Sequence, residues 1–245
     1  MQLTDSLGRN INYLRLSVTD RCNMRCFYCM PKEGVEKKQH GSILSYEELQ
    51  LVAETAVGLG IEKIRITGGE PLVRAGIVAF LGKLSAIPGL RHLALTTNGL
   101  LLEDMAADLR RAGVQRLNVS LDSLKQQTFS DITRGGDLNR VLAGLDAAEE
   151  AGFPPPKINC VIMRGVNDAE ILDFAAMTLS HGNSIRFIEY MPAVREDDWQ
   201  RYSIPGEEIL RCIAERYPLE PVDKGPYAGP SRDFRIPGAR AKSSS

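Results

Sequence analysis

Apolar and polar residues alternate in six short runs along this chain, and each run but the last leads into a longer stretch with helical spacing. Period two marks a strand, and apolar recurrence at three and four residues marks a helix. The pattern predicts strands near Tyr13–Val18, Lys63–Thr67, His92–Thr97, Arg116–Leu121, Lys157–Met163 and Ile185–Tyr190. Helices are expected near Tyr46–Leu59, Ala75–Ala86, Glu103–Ala112, Leu138–Ala151 and Ala169–Ser180, with a further amphipathic helix around Cys212. Ser45 and Glu48 form a capping box for the first helix. Gly60, Gly113 and Gly152 stand where helices should stop. Repeated strand–helix units imply an α/β fold of parallel strands with right-handed crossovers, either a closed or partial barrel or a doubly wound sheet. Six units fall short of the full eight-fold barrel.

Strand parity sorts the side chains. Leu14, Leu16 and Val18 share one face of the first strand, and Arg15, Ser17 and Thr19 the other. Ile64 and Ile66 oppose Lys63, Arg65 and Thr67; Leu93 and Leu95 oppose Thr96; Leu117, Val119 and Leu121 oppose Asn118, Ser120 and Asp122. Helices must cover the apolar face, so the polar faces look inward. Barrel interiors are usually packed with branched apolar residues, so this polar, partly cationic face is expected to line a hydrated cavity for an anionic ligand. In the sixth strand either Arg186 or Phe187 could face in.

Composition narrows the class. The 245 residues suit one α/β barrel-type domain, and 43% hydrophobic with 25% charged content is that of a soluble globular protein. A net charge of −1 offers no basic field for nucleic acid. No apolar run reaches the length of a membrane helix, and the N-terminus, with Asp5 and Arg9, does not read as a secretory signal. Five cysteines, three of them clustered, argue against a secreted disulfide framework and for a reducing cytoplasm.

The clustered cysteines carry the chemistry. Cys22, Cys26 and Cys29 form a CxxxCxxC run. A four-iron cluster held by three thiolates keeps one iron open, as a reacting metal site requires. The spacing alone also allows a zinc site with His40 as fourth ligand, or unrelated structural cysteines. Cys160 and Cys212 lie too far along the chain and read as structural, Cys160 pointing outward beneath a helix. His40, His92 and His181 lack metal-like spacing.

Tyr28 before the third cysteine, with Gly68-Gly69-Glu70-Pro71 at a strand end, resembles the radical S-adenosylmethionine (radical SAM) superfamily. The runs Leu14–Cys22, Ile64–Arg74, Leu95–Leu100, Asn118–Asp122 and Arg186–Met191 are similar to the GTP 3',8-cyclase family of molybdenum-cofactor biosynthesis, over nearly the whole chain. The resemblance implies a partial (β/α)6 TIM-type barrel, the radical SAM core, over residues 5–223. It implies a [4Fe–4S] cluster on Cys22, Cys26 and Cys29, completed by S-adenosylmethionine, whose reductive cleavage yields a 5'-deoxyadenosyl radical. Tyr28, Gly69, Ser120 and Met191 would contact S-adenosylmethionine; Arg15, Arg65, Thr96 and Lys157 would bind GTP, with Lys63 and Arg186 as weaker candidates. The radical would take hydrogen from the ribose C3', and attack on guanine C8 would give (8S)-3',8-cyclo-7,8-dihydroguanosine 5'-triphosphate. An electron-donor protein, a downstream cyclic pyranopterin monophosphate synthase and a homodimer are the implied partners. The alternatives are another radical SAM enzyme acting on a peptide or small molecule, and a catalytically degenerate cluster-binding paralogue.

The family carries a second cysteine triplet toward its C-terminus, and no cysteine follows Cys212 here. Residues 224–245 read as a Gly/Pro-rich connection and a disordered tail. Weak GTP binding, uncoupled S-adenosylmethionine cleavage and little cyclic product are the expectation for the chain as it stands.

Overall fold

A computed structural model describes residues 3–6, 8–34, 43–191, 199–223 and 231–239. His40 and the run 224–230 lie outside the described residues, as do 240–245, so the expectations placed on them do too. Six strands follow one another in one sheet in chain order: β1 (Tyr13–Ser17), β2 (Lys63–Thr67), β3 (His92–Thr97), β4 (Arg116–Ser120), β5 (Lys157–Ile162) and β6 (Ser184–Glu189). The pairs β1/β2, β2/β3 and β5/β6 are parallel. Helices fill the connections: α1 (Tyr46–Gly58), α2 (Ile77–Ser85), α3 (Leu102–Arg111), α4 (Gln126–Thr133), α5 (Leu138–Glu150) and α6 (Ile171–Ser180), with α7 (Gly206–Arg216) after β6. This is the expected α/β alternation.

Two compact units make up the chain. The first comprises Met1–Asn23, Glu33–Asn118 and Arg140–Pro154; the second comprises Met24–Lys32, Val119–Asn139 and Pro155–Ser245. In the first, Leu16, Ile64, Ile66, Leu93 and Leu95 are buried on the strands, as are Phe80, Leu81 and Leu84 of α2 and Leu102 and Leu109 of α3. Ser45 caps α1 reciprocally: its hydroxyl accepts from the Glu48 N–H, and the Glu48 carboxylate accepts from the Ser45 N–H. Gly60 and Gly113 take positive φ, 103° and 89°, just past helix ends.

In the second unit, Ile158, Cys160 and Ile162 of β5 are buried, as are Phe174 of α6 and Ile209 and Ile213 of α7. Phe187 meets the Phe174 ring edge-on at 6.5 Å, while Arg186 donates to Asn159 Oδ1 at 3.1 Å. Arg186 therefore shares the polar face with Asn159, its register partner, and the ambiguity of the sixth strand is resolved.

The structure departs from the sequence pattern in three respects. Helix α4 was not anticipated, because Gln126–Thr133 carries Thr, Ser and Asp and presents only Phe129, Ile132 and Thr133 for burial. The second and fifth expected helices begin later, after 3-10 turns at Pro71–Val73 and Asp168–Glu170. Within the expected C-terminal connection, β8 (Phe234–Arg235) pairs antiparallel with β7 (Glu220–Pro221), and Ile236 is buried. A two-residue strand is too short for periodicity to mark.

Candidate active site

The turn after β2 is built against the chain that leads into the first cysteine. The Gly69 N–H donates to the Thr19 carbonyl at 2.7 Å, and the Glu70 N–H to the Arg21 carbonyl at 2.7 Å. A Cβ on Gly69 would lie 2.6 Å from the Arg21 carbonyl carbon and 2.8 Å from the Asp20 carbonyl oxygen. Only glycine permits that approach. Glu70 then turns inward. Its buried carboxylate accepts from the Thr97 hydroxyl (2.9 Å), the Asn98 N–H (2.6 Å) and the Leu72 N–H (3.0 Å). Burial raises its pKa, and the three donors offset part of that rise. Asn98 carries the connection forward: its side-chain amide donates to Asn23 Oδ1 at 2.7 Å and to Cys22 Sγ at 3.7 Å.

The same unit holds three of the four expected nucleotide ligands. Arg15 and Arg65 are register partners on adjacent strands, and Arg65 stands opposite the small Ala94. Thr96 is two residues further along, with the same parity as Ala94. The apolar neighbours Leu16, Ile64, Ile66 and Leu95 are buried on the opposite face, while Arg15 and Ser17 are exposed. Lys63 and Arg65 lie 5.1 and 5.4 Å from the Tyr13 ring. The Tyr13 hydroxyl, Thr96 Oγ1 and Asn118 Oδ1 are buried with no hydrogen-bond partner among the described residues. Buried polar atoms ordinarily find partners, so this face has the chemistry of a surface that a polar ligand or water completes.

In the second unit the loop Met24–Lys32 is clamped by α4. The Arg25 and Phe27 N–H groups donate to the Thr133 and Ile132 carbonyls at 3.1 and 3.0 Å, and the Arg134 guanidinium donates to the Met30 carbonyl at 3.2 Å. These are the carbonyls a helix end leaves unpaired. Arg134 sits at φ 56°, the one left-handed non-glycine residue described. Within the loop the Cys29 and Met30 N–H groups both point to the Cys26 carbonyl, at 3.0 and 3.2 Å, so Cys26 and Cys29 share one turn. Phe27 and Tyr28 pack against a buried cluster of Ile132, Met163 and Tyr190.

Tyr28 is held by more than packing. Its hydroxyl donates to Asp122 Oδ2 at 2.6 Å, while Asp122 Oδ1 accepts from the Val161 N–H at 2.9 Å. Asn167 ties the same corner together, donating to the Asp122 and Val161 carbonyls at 2.6 and 2.8 Å. Burial, and then the Asp122 charge, holds the Tyr28 phenol well above its usual pKa, so it remains a donor. Burial likewise raises the Cys29 thiol, with Asp122 adding to it.

Asp122 itself is pushed up to about 6 by burial, against the opposing bonds from Tyr28 and Val161. Because that value exceeds the ordinary one, the folded protein takes up the proton first. Stability from this group therefore falls as pH rises from about 4 to about 6 and is level above that. Asp122→Asn should gain on the parent by roughly 1–3 kcal/mol between pH 4.5 and pH 7.5 in urea unfolding of the metal-free protein. The pH-independent loss at Tyr28 cancels in that difference. An equal gap at both pH values would refute it.

The remaining expected residues are less enclosed. Ser120 at the end of β4 and Lys157 at the start of β5 are half-buried, and Met191 is 70% exposed. Cys22, Cys26 and Cys29 form no disulfide among the described residues, and none of them is buried. Among the described residues no three His, Cys, Asp or Glu side chains stand together as a set able to hold a metal ion. Three accessible thiols on a short loop, one already accepting an N–H, nevertheless have the donor chemistry of an iron–sulfur ligand set. Asn98, Asp122, Arg134 and the Glu70 carboxylate are site residues the sequence reading did not assign. Only the inward parity of Asp122 and the strand-end positions of Glu70 and Asn98 hinted at them.

A family model for the Radical SAM superfamily matches residues 16–178, which sets the class: α/β enzymes with a partial barrel, whose chemistry uses S-adenosylmethionine and an iron–sulfur cluster. The "GTP 3',8-cyclase" of Geobacter sulfurreducens is 68% identical over 239 residues, covering 98% of this chain and 73% of that protein. The protein of the same name from Peptoclostridium acidaminophilum is 49% identical over 243 residues, covering 98% and 74%. This chain belongs to the GTP 3',8-cyclase family of radical SAM enzymes, which serves molybdenum-cofactor biosynthesis. The fold extends to distant structures: native anSMEcpe, solved with AdoMet and a peptide bound, matches at a TM-score of 0.64 and 18% identity, covering 84% of this chain and 59% of that one. Among the described residues no helix is long and apolar enough to cross a membrane.

Proposed function

We propose that this chain binds a [4Fe–4S] cluster on Cys22, Cys26 and Cys29 and uses it with S-adenosylmethionine to convert GTP to the 3',8-cyclo nucleotide. The observation that carries the substrate assignment is the polar strand face where Arg15 and Arg65 are register partners and the buried Thr96 hydroxyl has no hydrogen-bond partner among the described residues. When bound, the cluster supplies one electron to S-adenosylmethionine, whose cleavage gives methionine and the radical that starts the reaction. The chain's own residues position and neutralise. Gly69 keeps its backbone bare beside the segment that leads to Cys22, a position suited to the methionine amino group of S-adenosylmethionine. Tyr28, fixed by Asp122, offers an edge for its adenine, and Ser120 and Met191 complete that set.

Arg15, Arg65 and Lys157 suit the GTP phosphates, the arginines as planar forks and the lysine as a compact charge. Thr96 offers its hydroxyl to the same nucleotide. Hydrogen transfer from C3' requires near-contact placement, and an error of about 1 Å costs roughly 100-fold, so these anchors govern product formation more than cleavage. A reductant protein, a downstream synthase acting on the cyclic nucleotide and a homodimer complete the reading.

Anaerobic binding of GTP and S-adenosylmethionine, with product analysis by mass spectrometry, tests it. Cleavage without nucleotide affinity would point to a peptide or small-molecule substrate, and no cleavage to a degenerate paralogue. Arg65→Ala and Lys157→Ala should each weaken GTP binding about 10- to 100-fold by calorimetry, the loss of a charge-assisted bond. S-adenosylmethionine binding should be unchanged; an equal loss of both ligands would remove these residues from the nucleotide side.

A further inference from the structure

Asn98 is anchored at its backbone N–H and at both polar atoms of its side chain. Its N–H donates to Glu70 Oε2 at 2.6 Å, and its Oδ1 accepts from the Leu100 N–H at 3.1 Å. One side-chain proton goes to Asn23 Oδ1 at 2.7 Å, and Nδ2 lies 3.7 Å from Cys22 Sγ. Flipping the amide would place its oxygen against both Asn23 Oδ1 and the sulfur and would forfeit the Leu100 bond. The orientation is therefore set by two partners other than the sulfur, Asn23 and Leu100, and the remaining donor is delivered to Cys22 by construction. The support runs deeper. Glu70, buried at 1% exposure, spends its acceptors on the Asn98 N–H, the Thr97 hydroxyl and the Leu72 N–H, so it holds the turn from which Asn98 projects.

We infer that Asn98 is a positioning residue whose side-chain N–H tunes the cluster through Cys22, with Glu70 holding it in place. The inference rests on Cys22 being a cluster ligand, as proposed above. Hydrogen bonds to ligand sulfurs help set cluster potentials, and outer partners orient the ligands themselves. An N–H aimed at a thiolate withdraws electron density and favours the reduced cluster, which carries one more negative charge. Losing it should make the cluster harder to reduce.

The test is an EPR-monitored redox titration of the reconstituted protein, with iron release to a chelator as a second readout. Asn98→Ala removes the donor. Asn98→Asp keeps the oxygen that accepts from Leu100 and replaces the donor with an acidic oxygen. The midpoint potential should shift to more negative values in Asn98→Ala and further in Asn98→Asp, with iron lost faster from both. Glu70→Gln should shift it in the same direction alone and add little on the Asn98→Ala background, since the two act through one bond. An unchanged or positive potential with unchanged iron release in both Asn98 variants would overturn the inference. Loss of the cluster from both variants, with far-UV circular dichroism of the metal-free proteins unaltered, would support it. A parent protein that takes up no cluster would instead sink the cluster assignment, a separate outcome.

Discussion

Cys26→Ala is expected to leave the anaerobically reconstituted protein without a [4Fe–4S] cluster and without measurable 5'-deoxyadenosine on dithionite reduction. Two remaining thiolates cannot hold a cluster that already has one open iron. The substitution should leave the fold intact, because Cys26 is only partly buried and its carbonyl, which alanine keeps, accepts from the Cys29 and Met30 N–H groups. Iron, sulfide and absorbance measurements, beside circular dichroism of the metal-free protein, separate the two effects. A variant that retains a full complement of iron and sulfide would remove Cys26 from the ligand set. Stoichiometric zinc without sulfide in the parent protein would revive the zinc-site reading.

Gly69→Ala should be severely damaging for the addition of one methyl group. The added carbon would meet the Asp20 and Arg21 backbone, which has no rotamer to yield. Overpacking costs about 1–3 kcal/mol where side chains can shift, occasionally more, and here the yielding element is the Asp20–Arg21 backbone just before Cys22. We expect a loss of at least about 3 kcal/mol in urea unfolding, or a displaced turn with the cluster no longer retained. Gly82→Ala supplies the contrast: it lies within α2 with nothing within 4 Å of the added carbon. That change should stabilise by roughly 0.5–1 kcal/mol. Equal effects at the two positions would show that the close approach at Gly69 is unimportant.

Much of the frame was legible because it is periodic. Strand parity placed Leu16, Ile64, Ile66 and Leu95 in the core and Arg15 and Arg65 on the other face, and the register confirms both. The Ser45–Glu48 box worked because both partners lie within one helical turn. Cys160 was placed under a helix by counting from Asn159, and it is fully buried. Helix α4 escaped notice because its few apolar residues resemble a loop's, yet its last carbonyls and Arg134 hold the cysteine loop.

By itself the sequence determined the α/β alternation, the face on which each strand residue lies, the cysteine triplet and, through motifs at fixed spacing, the family. Those are properties of neighbours, carried by periods of two to four residues and by short runs. Tertiary structure alone decided what each polar residue touches. Asn98 reaches Cys22 across 76 positions, and Tyr28 reaches Asp122 across 94. Glu70 became a buried hub, and Gly69 was seen to be demanded by the Asp20–Arg21 backbone as well as by any ligand. Periodicity reports which way a side chain faces. Which partner it meets depends on loops that bring distant strand ends together, and no local pattern encodes that meeting.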